Sequence, residues 1–286
     1  MPYDQTTVLV TLSLLLAAVV KGTTGLGFPL IATPMVALLL DIRTAITILL
    51  IPNVLMDITQ VFRRGFPATV VRRFVWLISL TVVGVFLGTT VLVMLPTWIL
   101  NLTLGVMVLV FVTFSLLQFD FTISPSMERV FSPVAGLLSG FLNGMTNAAS
   151  PVLAVYLYSL RLSKSEFITT IATIFIVTKI SQIIAVSTWN LFTPATLRLS
   201  LEVTVLVLLG FYAGLKIQDR VNQKSFNRGL LVLLFIIGVA LIVQSLRQPR
   251  LTQESRLSSV TAPRVTTGWS AISSTPCTGR ARPRVG

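Results

Sequence analysis

The sequence predicts an all-α, polytopic membrane protein. It is read as two inverted repeats, each a short-helix hairpin followed by three long helices, with about 8–10 membrane segments in all. Three observations predict this. Apolar runs of roughly twenty residues recur from end to end, each long enough to cross a hydrocarbon core about 30 Å thick. Only 11% of the 286 residues are charged and 54% are hydrophobic, whereas a soluble domain carries about 25% charged residues. Sliding the chain by 122 residues lays 21–60 over 143–182 with Gly, Pro and Gln in shared register. The short alternating segments of a membrane barrel do not occur.

In chain order, apolar periodicity predicts helices over 6–20, 28–40, 43–62, 74–95, 98–118, 130–143, 151–160, 165–188, 199–215 and 229–246. Turn signals separate them, for example Arg63-Arg64-Gly65-Phe66-Pro67 and Leu95-Pro96-Thr97. Trp76, Trp98 and Trp189 fall near helix ends, where interfacial aromatics collect. The first run resembles a signal peptide in length, but Asp4 precedes it without Lys or Arg, so it reads as a first membrane helix. The organisation is therefore a first transmembrane repeat over 1–122, a second over 123–247, and a basic Ser/Thr/Pro/Arg-rich tail over 248–286. The tail cannot bury enough apolar surface to offset ordering and is expected to be disordered.

The net charge of +13 comes from 22 Lys and Arg against 9 Asp and Glu. These basic residues are scattered through short loops and the tail, as positive-inside sorting places them, so nucleic acid is not an expected partner. The lipid bilayer of the cell membrane is. With no His anywhere and the single Cys277 in the tail, His-ligated metal, Ser-His catalysis and disulfides are excluded. No cofactor is expected, and the chain does not read as an enzyme.

In the overlay, Gly22 falls on Gly144, Thr24 on Thr146, Pro29 on Pro151, Thr47 on Thr169 and Gln60 on Gln182. Charge sets the topology. If each hairpin returns to its starting side, the loops 63–73 and 216–228 are both cytoplasmic, together with most loop Lys and Arg. A unit with an odd number of net crossings is followed by an upside-down copy, which gives the inverted arrangement. Both termini then lie outside.

The stretch "KGTTGLGFP" from Lys21 is a polar knot between two apolar runs of roughly fifteen and thirteen residues, about 22 and 20 Å of helix. A pair that short predicts a hairpin whose tip lies within the protein. Irregular backbone at that depth is tolerated only where it is buried or lines a cavity. Gly22, Gly25 and Gly27 permit the reversal. Pro29 and Pro151 suit first helical positions, and Ser150 is a natural N-cap, so each knot feeds a helix whose bare N–H groups face the tip. That is an anion-binding device. Lys21, Thr23 and Thr24 surround it in one copy; Asn143, Thr146 and Asn147 do so in the other. Two slightly short spanning helices would also satisfy the charge rule, but recurrence where no charge occupies the tip favours the hairpin. The G-x-x-G-x-G spacing, with no Lys-Ser/Thr after it and no strand before it, is not a soluble phosphate loop.

Ionisable groups within a membrane mark functional sites. Asp57 lies in the third helix, with Lys179 at its repeat-equivalent position in the eighth, and the two are expected to pair across the two-fold. Either they are neutralised glue, or Lys179 attracts an anion while Asp57 exchanges a proton. Asn53, Gln60, Ser181 and Gln182 share those helices and are positioned to complete a polar cavity. Glu202 has Arg198 one turn before it and pairs locally.

The Lys21–Pro34 stretch, "GLLSGFLNGMTNAASPVLAVYLYSLRLSKSEF" and "FIVTKISQ" resemble the TauE/SafE family of sulfite and organosulfonate exporters over about residues 6–247. The resemblance implies a multi-pass transporter of small sulfur-containing anions. Carried over position by position, it makes the tip residues Lys21, Gly22, Thr23, Thr24, Gly25, Gly27, Asn143, Gly144, Thr146, Asn147 and Ser150 candidate substrate contacts; the intramembrane polar groups add Gln60, Lys179 and Gln182, with Asp57 for proton coupling. The sequence departs from the fuller glycine runs usual at these tips, with Gly25-Leu26-Gly27-Phe28 and Asn147-Ala148-Ala149-Ser150. A passive anion channel and a membrane enzyme or assembly factor are the competing readings. The substrate, the coupling ion and the oligomeric state do not follow from the sequence.

Overall fold

A computed structural model describes residues 5–25, 27–63, 68–117, 123–148, 150–217 and 223–261. Every regular element among them is helical: α1 (Gln5–Thr24), α2 (Phe28–Leu39), α3 (Ile42–Phe62), α4 (Ala68–Arg73), α5 (Val75–Met94), α6 (Thr97–Leu117), α7 (Pro125–Thr146), α8 (Ser150–Ser159), α9 (Lys164–Thr188), α10 (Pro194–Ile217) and α11 (Gln223–Thr261). Six segments are long and apolar enough to span a membrane: 42–62, 75–94, 97–117, 166–188, 194–217 and 228–247. The chain is a polytopic helical membrane protein.

Several expected boundaries move. Helix α1 continues through Thr24 and α7 through Thr146, so Lys21–Thr24 and Asn143–Thr146 are last helical turns and not irregular backbone. Each hairpin therefore pairs one full-length arm with one short arm. The α2 arm of 12 residues and the α8 arm of 10 residues measure about 18 and 15 Å. Arg72 and Arg73, expected in a loop, close the short helix α4. The chain divides into the units Met1–Pro249 and Arg250–Gly286. Residues 248–261, expected to be disordered, are helical; Leu, Gln, Glu and Arg in "LTQESRL" are good helix formers. Residues 262–286 lie outside the described set.

The packing repeats across the two halves. Helix α1 packs on α10 and α7 packs on α5, while α3 packs on α9. A Cβ on Gly22 would run into the α10 backbone at Phe211 and Gly214, and one on the repeat-equivalent Gly144 into the α5 backbone at Val85, Gly88 and Thr89. Gly84, Gly88, Gly136 and Gly140 tighten the α5–α7 seam further, each facing main-chain atoms of the other helix. In lipid no hydrophobic drive brings helices together, so small residues that admit close backbone approach take over that role. Gly22 and Gly144, expected to contact substrate, lie at these close helix approaches.

The second hairpin ends where it began. The Ile123 N–H donates to the Ser159 carbonyl at 3.0 Å, joining the residue before α7 to the last residue of α8. On the opposite end of the bundle, Arg43 at the start of α3 donates from Nε to Leu92 O and from Nη2 to Val93 O and Leu95 O at 3.1, 3.2 and 2.7 Å. That clamp caps the otherwise bare carbonyls closing α5. Around this frame the usual inside-out rule is reversed: Leu87, Leu209, Phe235 and Ile236 are exposed, while Lys21, Asp57 and Lys179 are buried. Lipid as solvent accounts for both.

Candidate functional site

The two hairpin tips are built alike. At the first, Gly25 adopts φ 79° and its N–H bonds the Lys21 carbonyl at 2.8 Å. At the second, the repeat-equivalent Asn147 adopts φ 63° and its N–H bonds the Asn143 carbonyl at 2.7 Å. Left-handed backbone favours Gly, and among other residues Asn tolerates it best. The chain thus turns the same way with different chemistry. Gly27, also left-handed at φ 94°, caps α2, and Pro29, expected at the first helical position, is its second residue, still within the first turn where no intrahelical N–H is required. Ser150 is the first residue of α8 rather than the residue before it, and its side chain lies outside the described set.

Each tip is held by a lysine, but the lysines come from opposite sides of the contact. In the first half Lys21 on α1 reaches α3, donating to Asn53 Oδ1 at 2.6 Å and to Asp57 Oδ1 at 2.5 Å. In the second half Lys179 on α9 reaches back to α7, donating to Asn143 Oδ1 at 2.7 Å, to Asn147 Oδ1, and to Gln182 Oε1 at 3.2 Å. Lys21 to Asp57 and Asn143 to Lys179 both span 36 residues. Asp57 is paired within its own half, not with Lys179 across the interface as expected. The shorter reach within a half decides this.

The glutamines brace the tips. Gln60 Nε2 donates to the Gly25 carbonyl at 3.2 Å, Gln182 Nε2 to the Asn143 carbonyl at 3.0 Å, and Asn143 Nδ2 to Gln182 Oε1 at 2.9 Å. The tips also meet across the halves, through Asn147 Nδ2 donating to Thr33 Oγ1 of α2 at 3.0 Å. Thr33 was not legible beforehand; its signal is a polar side chain one residue before Pro34 in an otherwise apolar helix. Thr23, Thr24 and Thr146 are turned elsewhere, their hydroxyls donating to Val20 O, Val20 O and Leu142 O of their own helices. Such back-bonding satisfies the hydroxyl locally and leaves little for a ligand.

Charge is unevenly distributed over this centre. Lys21, Asp57 and Lys179 are each at most 1% exposed, and Asp57 is the only buried carboxylate among the described residues. It interacts electrostatically with both ammonium groups. Two cations against one anion leave one positive charge without a protein counter-ion. A buried unpaired charge costs several kcal/mol. One face of α3 is also incompletely bonded: Asn53 Nδ2, Asp57 Oδ2 and Gln60 Oε1 are buried without partners, at spacings of four and three that share a helix face. Beside the start of α2 there is room. Gly27 is buried, yet a Cβ there would meet nothing within 4 Å.

No group of three or more His, Cys, Asp or Glu able to hold a metal occurs among the described residues. A family model described as sulfite exporter TauE/SafE matches residues 10–241. No curated protein and no solved structure matches the chain.

Proposed function

The chain belongs to the sulfite exporter TauE/SafE family, and from that membership we propose that it exports small sulfur oxyanions by alternating access at the two hairpin tips. Family and helices together make it a multi-pass membrane transporter of the sulfite and organosulfonate type. The finer reading is ours. The observation that carries it is the uncompensated ammonium of Lys179, bonded only to amide oxygens while Lys21 has Asp57. An anion seated there completes the charge balance that the protein leaves open, and selection of anions over cations follows directly.

The halves are read as inverted repeats, with both tips at mid-depth. A ten-residue α8 descends about 15 Å, half of a hydrocarbon core. The open space at Gly27 lies at the start of α2, where N–H groups and the positive helix end favour an oxyanion. Lys179, Asn143, Asn147 and Gln182 form the charged wall, Gly25, Gly27 and the start of α8 the flexible one. Asp57, with one oxygen unpartnered, is the proton-exchanging group. Burial of all three charges corresponds to a conformation closed to both sides.

Anion flux into proteoliposomes tests this reading, run with sulfite, sulfoacetate, sulfate and chloride, with and without a pH gradient. Saturable sulfite or sulfonate flux that falls at least tenfold in Lys179→Gln is expected. Linear, uncoupled current would replace the transporter with a channel. Unchanged flux in Lys179→Gln would remove the site.

A further inference from the structure

Resting on that transporter reading, we propose that the Lys21–Asp57 pair is a proton-operated charge switch. The site then accepts only cargo carrying a single negative charge in total: a monoanion alone, or a dianion with one proton on Asp57. With Asp57 ionised, Lys21, Asp57 and Lys179 sum to one positive charge, which a monoanion cancels. A dianion would leave a negative charge buried in a medium that opposes it. A proton taken from the aqueous side onto Asp57 Oδ2 converts the carboxylate to a neutral acid. Lys21 loses its counter-ion, and the two ammonium groups match the dianion. Release of dianion and proton on the far side restores the ion pair.

The surroundings of Asp57 serve both protonation states. Its Oδ1 is held by Lys21, while Oδ2 has no partner. One turn before it on the same face stands an unpartnered donor, Asn53 Nδ2, suited to a carboxylate. One turn after it stands an unpartnered acceptor, Gln60 Oε1, suited to an O–H. Asn53, Asp57 and Gln60 are at least nine-tenths buried. Helices α2, α6, α9 and α10 pack on α3. The first two carry no charged or titratable residue; α9 contributes Lys179 at this depth, and the charged residues of α10, Arg198, Glu202 and Lys216, are exposed. Lys21 and Lys179 are therefore the charges that set the switch. In the second half the position equivalent to Asp57 is Lys179 itself, so the switch is single and moves one proton with each dianion.

Sulfate and methanesulfonate separate the cases, because neither titrates near neutrality. Full-length protein in proteoliposomes carrying an internal pH dye is expected to take up one proton per sulfate and none per methanesulfonate. An acid-side gradient of one pH unit should raise sulfate flux about tenfold and methanesulfonate flux little, one unit being a factor of ten in proton activity. In Lys21→Gln/Asp57→Asn, where Lys179 alone remains charged and no proton can add a second positive charge, sulfate uptake should fall at least tenfold relative to methanesulfonate uptake, and any residual sulfate flux should carry no proton. Failure to move either anion would overturn the transporter reading. Movement of both with no proton beside sulfate, or a sulfate-linked proton that survives in the double variant, would overturn the switch while leaving transport intact. Should the double variant fail to fold, as judged by gel filtration in detergent, the wild-type proton count decides alone.

Discussion

Asn147 Nδ2 donates to Thr33 Oγ1 at 3.0 Å, a bond that ties the tip of the second hairpin to the short helix of the first. Both residues are fully buried, so the link has no water to fall back on. Thr33→Val keeps the shape but strands the amide donor, at a cost of about 1–3 kcal/mol. A fall of several degrees in the detergent unfolding midpoint is expected, with Thr33→Ser close to the parent. Equal midpoints for Val and Ser would show that the link contributes nothing.

The two lysines should respond in opposite ways to removal. Lys21→Met leaves the Asp57 carboxylate buried without its cation, and breaking a buried pair from one side costs about 3–5 kcal/mol. Adding Asp57→Asn should recover most of that loss. Lys179→Met deletes a charge with no acidic partner, so its stability cost should be smaller than that of Lys21→Met although its transport cost is larger. Thermal unfolding of these three variants beside the parent measures the ordering, and a Lys179→Met less stable than Lys21→Met would refute it.

Close helix approach makes a third prediction. Gly88 on α5 faces the Phe141 carbonyl and the Met145 nitrogen, main-chain atoms that cannot rotate aside. Gly88→Ala must push α5 from α7, an overpacking cost of about 1–3 kcal/mol. Gly229 in α11 has nothing within 4 Å of an added Cβ, so Gly229→Ala should be neutral or gain up to about 1 kcal/mol from helix propensity. Equal yields of folded protein for the two variants would contradict the seam.

Much of this was legible because lipid simplifies the code. Apolar length located α2, α3 and α9 within a residue of their observed limits, and the 122-residue register brought Gly25 onto Asn147, the two left-handed turns. What the sequence concealed were matters of reach. Lys21 appeared to belong to a loop, because Gly22, Thr23 and Thr24 are poor helix formers; against α10, Gly22 instead permits helix packing. The partner of Asp57 could not be inferred either, since repeat symmetry pointed to Lys179, and only the reach of the long Lys21 side chain from α1 across to α3 makes Lys21 its partner. Asn53 was one polar residue among several until its carbonyl met Lys21.

The bond from Ile123 N–H to Ser159 O also predicts a topology. The chain enters and leaves the second hairpin at one end of the bundle, so Ser124 and Arg161 must face the same side of the membrane. Helix α9 then crosses once, in 25 residues or about 37 Å, placing Asn190 on the other side. In a Cys277→Ser background, single cysteines at 124 and 161 should react with an impermeant maleimide from the same side. That side should be the cytoplasmic one, shared with Arg73, which pairs with Glu128 at 2.9 Å. A cysteine at 190 should react only from the opposite side. Labelling of 124 and 161 from opposite sides would mean that α7 and α8 together cross once. The tip would then leave mid-depth, and the halves could no longer be related by inversion.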